Sequence, residues 1–276
     1  MADELQDPDA AAADLYAPPR PTAFKTLRFE TVQGIARLIL DRPPANVLSV
    51  DAMREINAAL ESLEYQREVK LVVLSAAGKY FSPGFDLGDH LGDRAYVMLE
   101  EFHKIFENLA KTDKPSLAVV SGPALGAGSV LVGACDIVYA AASAKFGHPE
   151  VKGGVFNPAA AALLPRIVGR KKAFEMLLGA QSMTAADAER FGLITRAIPD
   201  ERLEAEVAAL IQRFQDGSAV VLQSARRAIS GGLDLPFSDA VRHAEDIYLN
   251  QLMASEDAEE GLKAVMAKRK PVWKDR

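Results

Sequence analysis

The chain predicts an α/β protein with a largely buried sheet, and three features carry that prediction. Between residues 25 and 199, short apolar or alternating runs recur between amphipathic helical patterns. Such alternation buries a mainly parallel sheet between helices. Residues 115–135 hold no charged side chain, yet Gly122, Pro123, Gly126, Gly128 and Gly133 interrupt the run. A strand, a glycine turn and a buried helix fit that text better than a membrane span. After Pro199 the pattern is almost wholly helical.

Taken in order, residues 1–24 combine Ala, Asp and Pro with little apolar periodicity and read as a mobile tail. The alternating and then apolar text from 24 to 40 predicts two strands, stopped by Pro43 and Pro44. Ser49 is placed to cap a helix with Met53, Ile56, Leu60 and Leu63 on one face. The β-branched run 69–74 predicts a buried strand, followed by a loop over 78–93. Leu99, Phe102, Phe106 and Leu109 mark a second amphipathic helix, and 117–120 another buried strand. Helices are then expected near 201–214, 218–230, 238–254 and 256–267, a C-terminal part (200–276) suited to packing against partners.

Composition narrows the function classes. Of 276 residues, 49% are hydrophobic and 25% charged, which excludes a disordered or fibrous chain. The net charge is −6, but Asp3, Glu4, Asp7, Asp9 and Asp14 all precede the first basic residue. The remainder is close to neutral, so nothing electrostatic argues for nucleic acid or an anionic membrane as partner. Cys135 is the single cysteine and lies in an apolar stretch, where a buried thiol is expected. It rules out an intramolecular disulfide, and no metal site is expected from it. The acidic, alanine-rich start lacks the basic and apolar runs of an export signal, so the expected compartment is the cytoplasm.

The candidate chemistry sits on two loops that follow strands. In Val120-Ser121-Gly122-Pro123-Ala124-Leu125-Gly126-Ala127-Gly128-Ser129, small residues turn the chain into an apolar helix. Unpaired N–H groups at such a start suit a negatively charged oxygen, although the glycines serve equally for close helix–strand packing. The segment is neither a P-loop nor a dinucleotide fingerprint. The other loop is Phe81-Ser82-Pro83-Gly84-Phe85-Asp86-Leu87. Together the two can aim two N–H groups at one polarised carbonyl, as enolate or acyl-transfer chemistry requires.

Downstream stands Ala144-Lys145-Phe146-Gly147-His148-Pro149-Glu150. By type Glu150 reads as a surface carboxylate, but its setting between apolar runs points to a pocket, where burial lifts a carboxyl toward proton-transfer range. The His148-x-Glu150 spacing is not a zinc deaminase site, since Pro-Cys-x-x-Cys is missing. Neither a Gly-x-Ser-x-Gly elbow nor a His-Glu-x-x-His motif occurs. His103 and His243 fall in helical patterns and read as solvent-facing or satisfied by packing, whereas His90 sits in the candidate loop.

The order of these motifs resembles the enoyl-CoA hydratase/isomerase, or crotonase, superfamily across residues 26–274. It is carried by Arg42-Pro43-Pro44-Ala45-Asn46-Val47-Leu48-Ser49, the two loops above, Ala134-Cys135-Asp136-Ile137-Val138 and the segment 144–150. Ala188-Glu189-Arg190-Phe191-Gly192-Leu193-Ile194 and Lys268-Arg269-Lys270-Pro271-Val272-Trp273 complete it. The resemblance implies a spiral of ββα units over 25–199 and C-terminal helices that trimerise, often as a dimer of trimers. It implies an acyl-CoA thioester as substrate, with coenzyme A part of that substrate and no separate cofactor.

By position, the resemblance makes Phe85 and Ala127 N–H the oxyanion donors and Glu150 the acid/base. Ser82, Asp86, Leu87, Gly126 and Val130 are implied to bind the substrate, with His90 beside them, and the Phe85 ring to narrow the acyl pocket. Basic residues Lys268, Arg269 and Lys270 either answer a helix dipole or reach a CoA phosphate.

One position departs from the pattern: hydratases of the family usually carry a second glutamate where this chain has Val130. The leading expectation is a lyase that adds water to an enoyl or cyclic dienoyl thioester, and three uses of these residues remain open. Glu150 moves both protons of a hydration, a loop group such as His90 or Asp89 assists, or no water is added, as in double-bond isomerases. Hydrolysis or decarboxylation of an acyl-CoA and a non-catalytic CoA-ester-binding or structural role are further alternatives. Gly84-Phe85-Asp86-Leu87-Gly88-Asp89-His90 with Gly154-Val155-Phe156-Asn157-Pro158 resembles the cyclohexa-1,5-dienecarbonyl-CoA hydratase branch.

Overall fold

Gln33 and Gly34, both with positive φ, close a tight hairpin between β1 (Leu27–Val32) and β2 (Ile35–Leu40). Two left-handed residues are what a two-residue hairpin turn demands. The structure, a computed structural model, describes residues 24–276; the tail expected at 1–24 lies, Phe24 apart, outside the described residues.

From β2 onward the sheet is parallel. Its order is β1-β2-β3-β4-β6-β9, with β3 Leu71–Ala76, β4 Ser116–Val120, β6 Ile137–Ala141 and β9 Arg196–Ile198. The β3 strand starts two residues later than its apolar run suggested. It continues to Ala76 because Ser75 and Ala76 pair with Ile39 and Leu40. Helix α1 (Val50–Leu63) is capped by the Ser49 side chain and buries Met53, Ile56, Leu60 and Leu63, as its periodicity predicts. Helix α2 (Arg94–Lys111) packs on α1 through Met98, Phe102, Ile105 and Leu109. Cys135 is buried as expected, and burial pushes its thiol up to about 12.

Because β3 and β4 run parallel, the loops leaving them emerge at one edge of the sheet, where parallel α/β sheets place their ligands. A second, three-stranded sheet covers that edge: β5 (Ala124–Leu125), β7 (Lys145–Gly147) and β8 (Ser182–Thr184), in the order β5-β7-β8. These strands are too short to leave a period in the sequence. Pairing β7 beside β5 brings segment 148–150 to the start of helix α3 (Ala127–Gly133).

Helices α4 (Pro158–Ile167) and α5 (Arg170–Gly179) follow, and neither was foreseen in the sequence. The start of α4 was legible nonetheless. Asn157 caps Ala160 N–H, and Pro158 stands in the first turn, where its missing N–H costs nothing. After α6 (Ala185–Arg190), four C-terminal helices run α7 (Leu203–Gln215), α8 (Ala219–Gly232), α9 (Phe237–Asn250) and α10 (Glu256–Met266), close to the expected ranges. Leu233, Phe237, Leu249, Val265 and Met266 on this part are exposed. Among the described residues no helix is long and apolar enough to cross a membrane.

Candidate active site

Three loops are laced together at the sheet edge. Asn46 starts the lacing: its Oδ1 accepts from Arg42 N–H, and its Nδ2 donates to the carbonyls of Ala77 and Tyr80 at 2.8 and 2.9 Å. That holds Leu48 in a parallel bridge to Phe85, with Leu48 N–H on Gly84 O at 2.8 Å and Asp86 N–H on Leu48 O at 3.1 Å. Peptide groups alternate in direction along an extended chain, so Phe85 N–H faces the opposite edge. A second bridge joins Ser82 to Ala124, with Leu125 N–H on Ser82 O at 2.8 Å. Gly126 N–H bonds Gly147 O at 2.8 Å and ties in the third loop.

This lacing leaves two donors unspent. Among the described residues neither Phe85 N–H nor Ala127 N–H has an acceptor, and Ala127, as the first residue of α3, has none within its own helix. The loops touch at glycines. A methyl group on Gly84 (φ +107) would lie 3.1 Å from Ala127 N, and one on Gly128 would lie 2.6 Å from Ser82 O. Close packing and donor exposure, open alternatives in the sequence, are therefore one arrangement: the close approach is what sets the two donors side by side.

Glu150 completes the group. A methyl group on Gly126 (φ +53) would lie only 2.9 Å from Glu150 Oε1, so the carboxyl sits directly over the turn that presents Ala127. Its side chain is 14% exposed, and Oε1 has no hydrogen-bond partner among the described residues. The pocketed reading of Glu150 fits this better than the surface one.

An apolar cavity of 590 Å³ opens beside the loops. Val130 and Ala134 of α3, Leu99, Phe102 and Phe106 of α2, and Pro158, Ala159, Ala162 and Leu163 of α4 line it, with His103 and Arg166 as its polar members. Sequence reading placed His103 toward solvent or in packing; it is exposed and also borders this cavity. An apolar stripe on α2 gave no sign that Leu99 and Phe106 face a cavity, because a stripe records burial and not what does the burying.

Other loop residues take structural parts. Ser82, expected to bind the substrate, is fully buried and its Oγ accepts from Gly84 N–H at 3.1 Å, so it shapes the loop. Asp86 caps Gly88 N–H at 3.0 Å and lies 3.7 Å from Arg42, and Leu87 is 82% exposed. The Phe85 ring meets Phe102 edge-on at 4.7 Å and His90 at 5.7 Å. Phe85 is therefore packed against Phe102, a residue of the cavity wall, while His90 is held against Phe85. Among the described residues no group of three or more His, Cys, Asp or Glu is placed to hold a metal ion.

Asp89 is likewise spent, which corrects the expectation that it assists proton movement. Its Oδ2 accepts from Val50 N–H at 2.9 Å and its Oδ1 from Arg94 Nε at 2.9 Å. Burial works to raise its pKa, but the Val50 and Arg94 bonds and the charges of Arg94 and Arg42 outweigh it and hold the carboxyl below its ordinary value. A lowered folded-state pKa contributes stability that is present above the unfolded value of about 3.9 and is lost as pH falls through the folded one. Asp89→Asn should therefore lose less stability than the parent between pH 7 and about pH 3. Urea denaturation at both pH values measures this, and equal losses in the two proteins would contradict it.

Comparison with known proteins agrees with the geometry. A family model described as enoyl-CoA hydratase/isomerase matches residues 30–276. A probable enoyl-CoA hydratase of Rhizobium meliloti (strain 1021) is 35% identical over 92% of this chain and 100% of its own. The cyclohexa-1,5-dienecarbonyl-CoA hydratase of Thauera aromatica is 34% identical over 88% of this chain and 94% of its own. The solved structure of an enoyl-CoA hydratase from Mycobacterium smegmatis aligns with a TM-score of 0.85 at 28% identity, covering 90% of this chain and 99% of that one.

Proposed function

The chain belongs to the enoyl-CoA hydratase/isomerase family, and we propose that within it the protein adds water to an enoyl-CoA or cyclic dienoyl-CoA thioester. One observation carries this: the Glu150 carboxyl, largely buried, lies over Gly126 beside the two unpaired N–H groups. A base held next to an oxyanion site is what chemistry at the α-carbon of a thioester needs.

The step balances with one carboxylate. The thioester oxygen sits on Phe85 and Ala127 N–H. Glu150 takes a proton from water as the water oxygen bonds the β-carbon, and the displaced electron pair moves onto the thioester oxygen. The resulting enolate takes the same proton back from Glu150 at its α-carbon, which restores the carboxylate. Each oxyanion donor is worth about 3 kcal/mol of barrier. Coenzyme A enters as part of the substrate, so the reaction calls on no further cofactor.

The apolar cavity walls suit a hydrocarbon acyl group, straight or cyclic. Arg269 is engaged by Glu260 at 2.5 and 2.8 Å, which leaves Lys268 and Lys270 as the basic residues open to a CoA phosphate. The exposed apolar side chains of the C-terminal helices support self-assembly, for which the family resemblance implies a homotrimer or a dimer of trimers.

Val130 favours one second reading, a double-bond isomerase that shuttles a proton on Glu150 alone. Mass spectrometry of crotonyl-, 3-enoyl- and cyclic dienoyl-CoA incubated with the protein in heavy water separates the two. Addition of one water is the expected result. Deuterium uptake or bond migration without hydration would establish the isomerase, and no exchange with any ester would point to a non-catalytic binder.

A further inference from the structure

His148 stands in the same turn as Glu150 and is 1% exposed. Its Nδ1 lies 3.7 Å from Glu150 Oε1. Among the described residues, neither ring nitrogen and not that Oε1 has any hydrogen-bond partner. Buried polar atoms are nearly always paired, so Nδ1 and Oε1, both unpaired and separated by a gap slightly longer than a hydrogen bond, form an incomplete contact.

The surroundings leave His148 one ionic neighbour. The flanking strands β5 and β8 carry no ionisable side chain, nor does helix α3. Lys145 on the preceding strand β7 is exposed, and Lys152 lies in the following turn. On α5, Lys172 is paired with Glu175; on α6, Asp187 is paired with Arg190, and Glu189 accepts from Ala197 N–H. Glu150 is the carboxylate within ion-pair distance of the imidazole among the described residues. An imidazole nitrogen donates only where it carries a proton. A carboxylate only accepts, which puts that proton on Nδ1.

We propose that His148 is the positioning residue of Glu150: its Nδ1–H orients Oε1 and steadies the carboxylate between its two proton transfers. This rests on the reading of Glu150 as acid/base. It answers the question raised by Val130, because a single carboxylate that both takes and returns a proton must keep one orientation through both steps.

His148→Leu and His148→Gln test it. Loss of the donor in His148→Leu should lower kcat by about 10- to 100-fold, as loss of an orienting partner does elsewhere, with KM within about twofold. Because the lost N–H favours the charged form of a carboxylate, the acid limb of the kcat–pH profile in His148→Leu should move to higher pH. The glutamine amide also donates and should recover most of the loss. An unchanged kcat and acid limb in His148→Leu would overturn the proposal.

Nitrogen-15 NMR of the histidines in the intact protein reads the same point without relying on turnover or on the leucine variant folding. The expected result is an Nδ1–H tautomer whose signals move in Glu150→Gln. An Nε2–H tautomer insensitive to Glu150→Gln would overturn the proposal and leave the acid/base reading intact. Full activity of Glu150→Gln would instead remove that reading itself.

Discussion

Glu150→Gln should lower turnover by about 10²- to 10⁴-fold, the range that general acid–base groups supply. Glutamine keeps the size and most of the polarity of the side chain, so the turn at Gly126 and the cavity should survive. CoA-ester binding, measured by calorimetry or by protection against thermal unfolding, should stay within about threefold of the parent. The same variant should stop deuterium exchange at the α-carbon, because the Glu150 carboxyl is the one placed against Gly126, at the turn that presents Ala127 N–H. Retained turnover would remove Glu150 from the chemistry. Lost binding together with lost turnover would show instead that the side chain holds the site's shape.

Gly126→Ala should have the second large effect, by two routes that can be separated. The backbone there has φ +53, a conformation that strains an L residue by about 1–3 kcal/mol. Its methyl group would also lie 2.9 Å from Glu150 Oε1, pushing the carboxyl away and disturbing the turn that presents Ala127 N–H. Mispositioning one oxyanion donor costs about 10²- to 10³-fold in kcat, so the expected loss of activity is at least about a hundredfold. Gly78→Ala is the matched control, since Gly78 has φ +84 with nothing within 4 Å of an added methyl. It should melt earlier yet keep its turnover. Equal activity in the two alanine variants would show that the contact between Gly126 and Glu150 is immaterial.

The geometry also explains why so many residues of the loops are structural. Two backbone donors have no side chain of their own to aim them; they are aimed by what their neighbours bond. Leu48, Ser82, Asn46 and Gly147 perform that task through ordinary backbone and amide bonds. Asp89 supports it from below by fixing the start of α1. A motif that reads as a string of candidate ligands is thus largely a frame around two N–H groups.

What the chain's own text determines is whatever is written locally. Apolar periods marked α1, α2 and the C-terminal helices, Ser49 announced its cap, and apolar runs marked β3 and β4 but not β6 or β9, because each of these signals depends on residues a few positions apart. The two glycine loops and the Pro-Glu turn were legible for the same reason, and their order along the chain carried the family resemblance. Tertiary structure alone decided the rest. Strands β5, β7 and β8 are two or three residues long and exist only through pairing, yet they set Glu150 over Gly126. The burial of His148 against that carboxyl, and the opening of Leu99, Phe106, Val130 and His103 onto one cavity, likewise depend on segments far apart in sequence. Periodicity states that a side chain leaves water; only the packing of distant segments states whether protein or substrate takes the water's place.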